Sequence, residues 1–455
     1  MKRDILLIAA AALIALMANI KAEDIFFEDM RTGTGKIESG GPALTPAPVP
    51  VPVDMTPPAA AVPAAVEREW LVIVFLNGRN NLAQGAIEDV NEMELAGSTD
   101  KVAVTAELGL LDDRGSSSRF YIQKDTTTFA KNKLGDIIST AVKVPGSDMG
   151  SWAHFVDFAK WSYGRYPAKK VLVILWNHGS GRIDIGGADN TGSELGIAYD
   201  DLTRNFIRNK QIGLALEGIE KAIGKKVSIY ASDACLMQMA SVAYEIKDNA
   251  DFIVGAEETV PGAGFPYDTI LNALNAAPSA DPEALSRIIV DKFYYSYTGS
   301  GENTTISSIR SSELPKFAEV LNDWVKAAAI STHRKKVRKA EGDALSFEGG
   351  YTGNDTSYNA RSKDLYDFID QVNRQADKTS KIYAKGEALK DFITGRLVIA
   401  NKTTEAGSDY DRAKGIAVYF PKLIYDSSYD ENIFSRDSLW DDFLKWKLDP
   451  SYKIR

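Results

Sequence analysis

Cysteine is nearly absent from this chain, with one residue in 455, and histidine is scarce, with three. A single cysteine excludes an internal disulfide and leaves one free thiol. After residue 22 no apolar run is long enough to cross a bilayer, so no transmembrane anchor is expected once that segment is removed. Positive charge is also in deficit: 53 Lys and Arg stand against 62 Asp and Glu, for a net charge of −9. That balance argues against a nucleic-acid partner, whose affinity depends on neutralising phosphates.

The first 22 residues read as a secretory signal. Lys2 and Arg3 precede an apolar run from Ile5 to Met17, and Ala22 supplies a small residue for cleavage. The expected location is therefore secreted or periplasmic. Residues 23–66 follow as a segment without a core of its own. Pro42, Pro46, Pro48, Pro50, Pro52, Pro57, Pro58 and Pro63 impose extended polyproline conformation on its second half. From residue 67 onward, strand-like and helix-like stretches alternate, the pattern of an α/β domain with a mostly parallel sheet. The expected division is a core at 67–270, followed by a helix-rich α+β region at 271–455 that completes or packs on it.

Two stretches organise that core. Val171-Leu172-Val173-Ile174-Leu175-Trp176 has no alternation, as in a parallel strand covered on both faces. It runs directly into Asn177-His178-Gly179-Ser180-Gly181. A second strand, Val227 to Tyr230, leads to Asp233-Ala234-Cys235. Beyond it Leu236, Met239, Ala240, Ala243 and Ile246 keep helical spacing. Each motif falls just past the carboxyl end of a strand, on the rim where open α/β sheets bind ligands. The spacing places Cys235 at a helix start, where unpaired amides and the helix dipole favour a thiolate.

An imidazole beside a thiol can take its proton and activate it as a nucleophile. Cys235 would attack a carbonyl, with His178 serving the leaving group and then water. The amides of Gly179 and Cys235 are the candidate donors to an oxyanion. Asp233 has two readings: the cap of the following helix, or an anion that binds a Lys or Arg side chain of a substrate. Glu257 and Glu258, after another strand end, either line the same pocket or face solvent. His154 falls on an expected helix. His333 adjoins the basic run 334–339, read as a solvated surface loop.

The strings Leu175-Trp176-Asn177-His178-Gly179 and Asp233-Ala234-Cys235-Leu236-Met237 resemble the His and Cys motifs of the clostripain family of cysteine peptidases. Trp70 to Leu82, Glu258 to Phe265 and Gly415 to Pro421 are similar to further landmarks of that family, so the resemblance spans roughly 67–450. It implies a caspase-like three-layer α/β sandwich, a dyad of His178 and Cys235, and cleavage after Arg, with Lys as the alternative. The same resemblance assigns Asp233 to the basic residue of the substrate. Family members often cleave themselves in the loop after the histidine; here that loop is 181–199, and Arg182 is its sole basic residue. No cofactor is expected. Calcium dependence is open, with Asp184, Asp189, Asp200 and Asp201 as loop acids and no metal assigned to them. Arg79 stands where the family often has an acid.

The expectation is thus an exported, monomeric cysteine endopeptidase acting on protein or peptide substrates. Two alternatives use the same residues: a catalytically silent binding or adhesion protein of this fold, and a peptide ligase in which an amine resolves the acyl-enzyme.

Overall fold

In chain order the described strands are β1 (Arg68–Gly78), β2 (Val102–Leu110), β3 (Ser116–Tyr121), β4 (Ala141–Pro145), β5 (Ala168–Trp176), β6 (Ile197–Asp200), β7 (Asn205–Ile207), β8 (Val227–Asp233), β9 (Ala250–Gly255), β10 (Thr304–Arg310), β11 (Ser346–Phe347), β12 (Ser362–Asp364), β13 (Val398–Thr404) and β14 (Ala417–Tyr419). The computed structural model describes residues 67–126, 133–181, 196–347, 362–404 and 410–455. The segments 1–22 and 23–66 lie outside them. Residues Glu67–Arg455 cluster as one unit.

Five strands form a parallel centre in the order β2-β1-β5-β8-β9. Both faces are covered, and β1 shows why its sequence does not alternate. Leu71, Ile73 and Phe75 enter one apolar core, while Trp70, Val72, Val74 and Leu76 enter the other. Antiparallel strands extend the sheet at each edge: β3 and β4 beyond β2, and β10 and β13 beyond β9, giving nine strands among the described residues. The region 271–455 therefore contributes two strands to the same sheet.

One face is covered by helices α1 (Ala83–Ala96), α5 (Tyr267–Ala276) and α6 (Pro282–Tyr297). The other carries α2 (Trp152–Arg165), α3 (Asn209–Ile223), α4 (Ala240–Ile246) and α7 (Leu314–Ala328). Further helices, α8 (Arg334–Asp343), α9 (Leu365–Asn373) and α10 (Lys381–Phe392), enlarge that side. The result is a three-layer α/β/α sandwich, with the small sheet β11-β12-β14 packed beside it.

Two local expectations change. The sequence from Asp200 to Ala222 reads as one helix, but the helix begins only at Asn209, because 197–207 forms the hairpin β6–β7, with Arg204 in left-handed conformation at its turn. The basic run 334–339 is helical rather than a loop: it opens α8, which buries Val337 and Ala340. Charged residues on the other faces of α8 disguised its apolar stripe.

Candidate functional site

Strands β5 and β8 are parallel neighbours, and Trp176 pairs with Asp233 at their carboxyl ends. His178 and Cys235 each lie two residues past that pair, so the register alone sets both motifs on one rim. Asn177 binds the rim together. Its amide N–H donates to the Asp233 carbonyl (3.2 Å), its Nδ2 to the Asn77 carbonyl (2.5 Å), and its Oδ1 accepts from the Tyr199 amide (3.2 Å). Gly179 packs so closely on the cysteine loop that a side-chain carbon there would collide with the Cys235 carbonyl oxygen. Only glycine permits this approach.

The cysteine does not sit at a helix start. Residues 234–239 leave β8 through a turn, and α4 begins only at Ala240. Leu236 adopts φ 65°, rare for a branched non-glycine residue, and its amide donates to the Glu258 carbonyl (3.1 Å); the Gln238 amide donates to the Ala256 carbonyl (2.9 Å). The loop therefore lies along 256–260 instead of coiling. At the sulfur, Val260 N–H donates to Sγ at 3.3 Å, and Sγ–H donates to the Val260 carbonyl at 4.0 Å. Cys235 is 8% exposed. The main chain of Val260, and not a helix start, is what lies at the sulfur.

The His178 ring is half-buried, and burial lowers its pKa from the usual 6.5 to about 4. The ring is therefore neutral at physiological pH and able to accept a proton. Its Nε2 lies 2.6 Å from Oδ1 of Asn81, in the turn that follows β1. That turn is built from asparagines: Asn77 Oδ1 accepts from the Arg79 amide (3.0 Å) and Asn80 Oδ1 from the Leu82 amide (2.9 Å). Their Nδ2 groups donate outward to Ala198 O and Tyr199 O, at 2.8 and 2.9 Å, which ties the turn to β6. Beneath it Arg79 is fully buried, ion-paired to Asp200 at 3.0 Å and donating to Ser147 O at 2.6 Å and Ser147 Oγ at 2.8 Å.

Asp233 is not a helix cap, since no helix starts beside it. Its carboxylate Oδ2 accepts from Phe265 N–H and Tyr267 O–H, both at 3.0 Å. Gly264, at φ 60°, is where a side chain would press on that carboxylate. Burial raises the Asp233 pKa to about 7, the two hydrogen bonds opposing. Asp89, on α1, is raised well above its ordinary range by burial and then by the Asp233 charge, although it accepts from Trp176. Glu92 is raised to about 7 by burial and by Asp268. No Lys or Arg among the described residues pairs with these three carboxylates. The α1 members escaped notice in the sequence because they read as the polar face of an amphipathic helix.

Glu257 and Glu258 join neither the Asp233 group nor solvent. Glu257 Oε2 accepts from the Gly415 amide (2.9 Å) and shares a hydrogen bond with Asp364; Glu258 Oε1 accepts from the Thr259 amide (2.7 Å), and its Oε2 from Tyr410 O–H. His154 contacts the buried Glu107 at 2.6 Å, a structural pairing away from this rim. Among the loop acids, Asp200 is fully used: besides Arg79 it accepts from the amides of Met149, Leu202 and Thr203. It does not fit a calcium ligand. Arg182, Asp184 and Asp189 lie outside the described residues, and no cluster of metal-binding side chains occurs among the described ones.

A three-layer sandwich with a histidine and a cysteine on one sheet rim is the architecture of the caspase-like cysteine peptidases. The chain belongs to the clostripain family, whose model matches residues 74–446. Clostripain of Hathewaya histolytica is 26% identical over 235 residues, 47% of this chain and 43% of that protein. The chain thus spans less than half the length of this curated relative. In fold, it is similar to a secreted C11 cysteine protease from Bacteroides thetaiotaomicron in complex with an irreversible peptide inhibitor, with TM-score 0.60 and 19% identity, covering 83% of this chain and 99% of that one. It is likewise similar to an inactive zymogen C11 protease from Parabacteroides distasonis, with TM-score 0.59 and 18% identity over the same shares.

Proposed function

We propose that this protein is an exported cysteine endopeptidase that cleaves after Arg, with Lys as a second choice. The observation that carries the reading is the register of β5 and β8, which sets His178 and Cys235 at equivalent positions on adjacent strand ends. The proton of the Cys235 thiol passes to His178, and the sulfur attacks the substrate carbonyl. The resulting oxyanion is met by the amides of Gly179 and Cys235. The C–N bond then breaks as His178 returns the proton to the leaving amine. Water, deprotonated by the same ring, splits the thioester and restores the thiol.

Preference for a basic side chain rests on Asp233, supported by Asp89 and Glu92. Three carboxylates gathered under apolar cover repel one another and hold protons they would otherwise lose. A guanidinium or ammonium entering among them supplies the missing cation. No metal enters this mechanism. Self-cleavage after Arg182 and export through residues 1–22 belong to the same reading, and the mature N-terminus and any internal nick, measured by mass spectrometry, test both.

A fluorogenic peptide with Arg before the scissile bond is the direct assay. Cys235→Ala abolishes turnover and His178→Ala nearly does so. Full rate in Cys235→Ala rejects the mechanism. A silent binding protein would show no hydrolysis at all, and a ligase would transfer the acyl group to an added amine in preference to water.

A further inference from the structure

We infer that the outward face of α8 and the loop after β14 together form a docking surface for an anionic lipid bilayer. The basic side chains meet headgroup phosphates, and Leu423 and Ile424 enter the apolar boundary beneath. The inference is independent of the peptidase reading, since neither element carries a residue of the proposed site.

Helix α8 buries Val337 and Ala340. By helical periodicity its opposite face carries Lys335, Arg338 and Lys339, at spacing i, i+3 and i+4, and all three are exposed. Among the described residues Lys335 and Arg338 have no ion pair, and Lys339 pairs with Asp343 at the surface. The helix holds five cations against two anions, in a chain whose net charge is −9. Arg334, Lys335 and Lys336 stand in its first turn with no acid beside them, where the positive end of the helix dipole disfavours cations. Helix stability therefore does not account for this charge.

Leu423 and Ile424 are the most exposed large apolar residues among those described, each at 71%. The loop that presents them is anchored on both sides. Lys447 Nζ donates to the Pro421 carbonyl (2.5 Å) before the pair. After it, the Asp426 amide donates to the Tyr419 hydroxyl (3.2 Å), and the Tyr425 hydroxyl donates to Asp430 (2.5 Å). The two aliphatic side chains are thus held out in water between fixed points, where their apolar surface gains nothing from the fold.

One buried side chain joins the loop to the helix. Lys447, on the closing helix Trp440–Leu448, donates to Glu341 Oε1 of α8 (2.6 Å) as well as to Pro421. Burial holds its ammonium below the usual pKa, and repulsion from Arg338 and Lys422 acts in the same direction. Arg338 from the helix and Lys422 from the loop thus converge on one point. The acids on these turns are engaged: Glu341 by Lys447, Asp343 by Lys339 and Asp430 by Lys445.

Cations beside an anchored apolar tip suit a surface that offers phosphate and hydrocarbon together. A soluble polyanion would neutralise the basic face but leave Leu423 and Ile424 in water.

Cosedimentation of the purified protein with vesicles tests the inference. One set is mixed phosphatidylcholine and phosphatidylglycerol, the other phosphatidylcholine alone. Binding is expected to the mixed vesicles only, and to weaken as salt is raised. The triple variant Lys335→Gln/Arg338→Gln/Lys339→Gln should lower the partition coefficient by about 100-fold. Leu423→Ser/Ile424→Ser should lower it by about tenfold or more at unchanged surface charge. Thermal melts show that the variants fold, and the wild-type comparison of the two vesicle sets decides even where one does not. No binding by the wild type, equal binding to both sets, or wild-type affinity in Leu423→Ser/Ile424→Ser overturns the inference. So does retention on heparin without vesicle binding, which would give the basic face to a soluble polyanion. Each of these failures leaves the peptidase reading untouched.

Discussion

Two groups of buried charge lie within the same rim and are handled in opposite ways. Under the turn after β1, Arg79 meets Asp200 with both side chains fully buried, and Ser147 and the amides of Met149, Leu202 and Thr203 hydrogen-bond to the pair. At the end of β8, Asp89, Glu92 and Asp233 are gathered with no cation among the described residues, and their pKa values rise in consequence. The first group is compensated from within and serves the scaffold. The second carries a charge deficit that no described Lys or Arg relieves, and the proposed function assigns it to the basic side chain of a substrate.

Removing one partner of the first group should therefore damage the fold, and altering the second should damage selectivity. Arg79→Ala or Asp200→Ala should cost about 3–5 kcal/mol, because each leaves an uncompensated buried charge; chemical denaturation measures it, and a loss below about 1 kcal/mol would mean the pair is hydrated. Asp233→Asn should leave the fold intact and lower kcat/KM for Arg peptides by about a hundredfold, the loss expected when one partner of a desolvated charge pair is removed. Peptides with a neutral residue at that position should be little affected, so an equal loss for both would assign Asp233 to the scaffold.

A smaller effect appears in the pH profile. With its pKa near 7 in the free protein, Asp233 protonates as pH falls through neutrality, so kcat/KM for Arg peptides should decline below about pH 7. A bound guanidinium favours the ionised form, so the corresponding limb of kcat should lie at lower pH. Coincident limbs would contradict direct contact between Asp233 and the basic side chain.

The smallest effect concerns Glu257 and Asp364, which share a hydrogen bond under cover, Asp364 being raised to about 6 by burial and Glu257 well above its usual range. A carboxyl whose folded pKa exceeds its unfolded value binds more protons when folded, so its contribution is present below the unfolded pKa and lost as pH rises through the folded one. Glu257→Gln should therefore flatten the fall in stability above about pH 4.5. An unaltered slope in thermal melts between pH 4.5 and 7 would exclude the pair as its source.

The parallel centre was legible because strands covered on both faces must be apolar throughout, as Val171 to Trp176 is. The rim followed from it, since a motif directly after each strand must emerge at the same edge. What followed Cys235 was misread for a definite reason. Leu236, Met239 and Ala240 keep helical spacing, but the amides of Leu236 and Gln238 are claimed by Glu258 and Ala256, about twenty residues away in sequence. Such long-range backbone pairing leaves no local signal, and it overrode periodicity. The same holds for Asp233, whose partners Phe265 and Tyr267 are distant in sequence, and for Asn81, which resembles any other turn asparagine until His178 is placed beside it.

Covalent titration tests the central pairing of a nucleophile with a cation-binding carboxylate most directly. The mature protein is incubated with a thiol-directed peptide inhibitor bearing Arg, and in parallel with one bearing a neutral residue, and the adducts are counted by mass spectrometry. The account predicts one equivalent of the arginyl inhibitor on Cys235, with the neutral compound reacting far more slowly and Asp233→Asn removing the difference. No adduct on Cys235, or equal rates with both compounds, would contradict it.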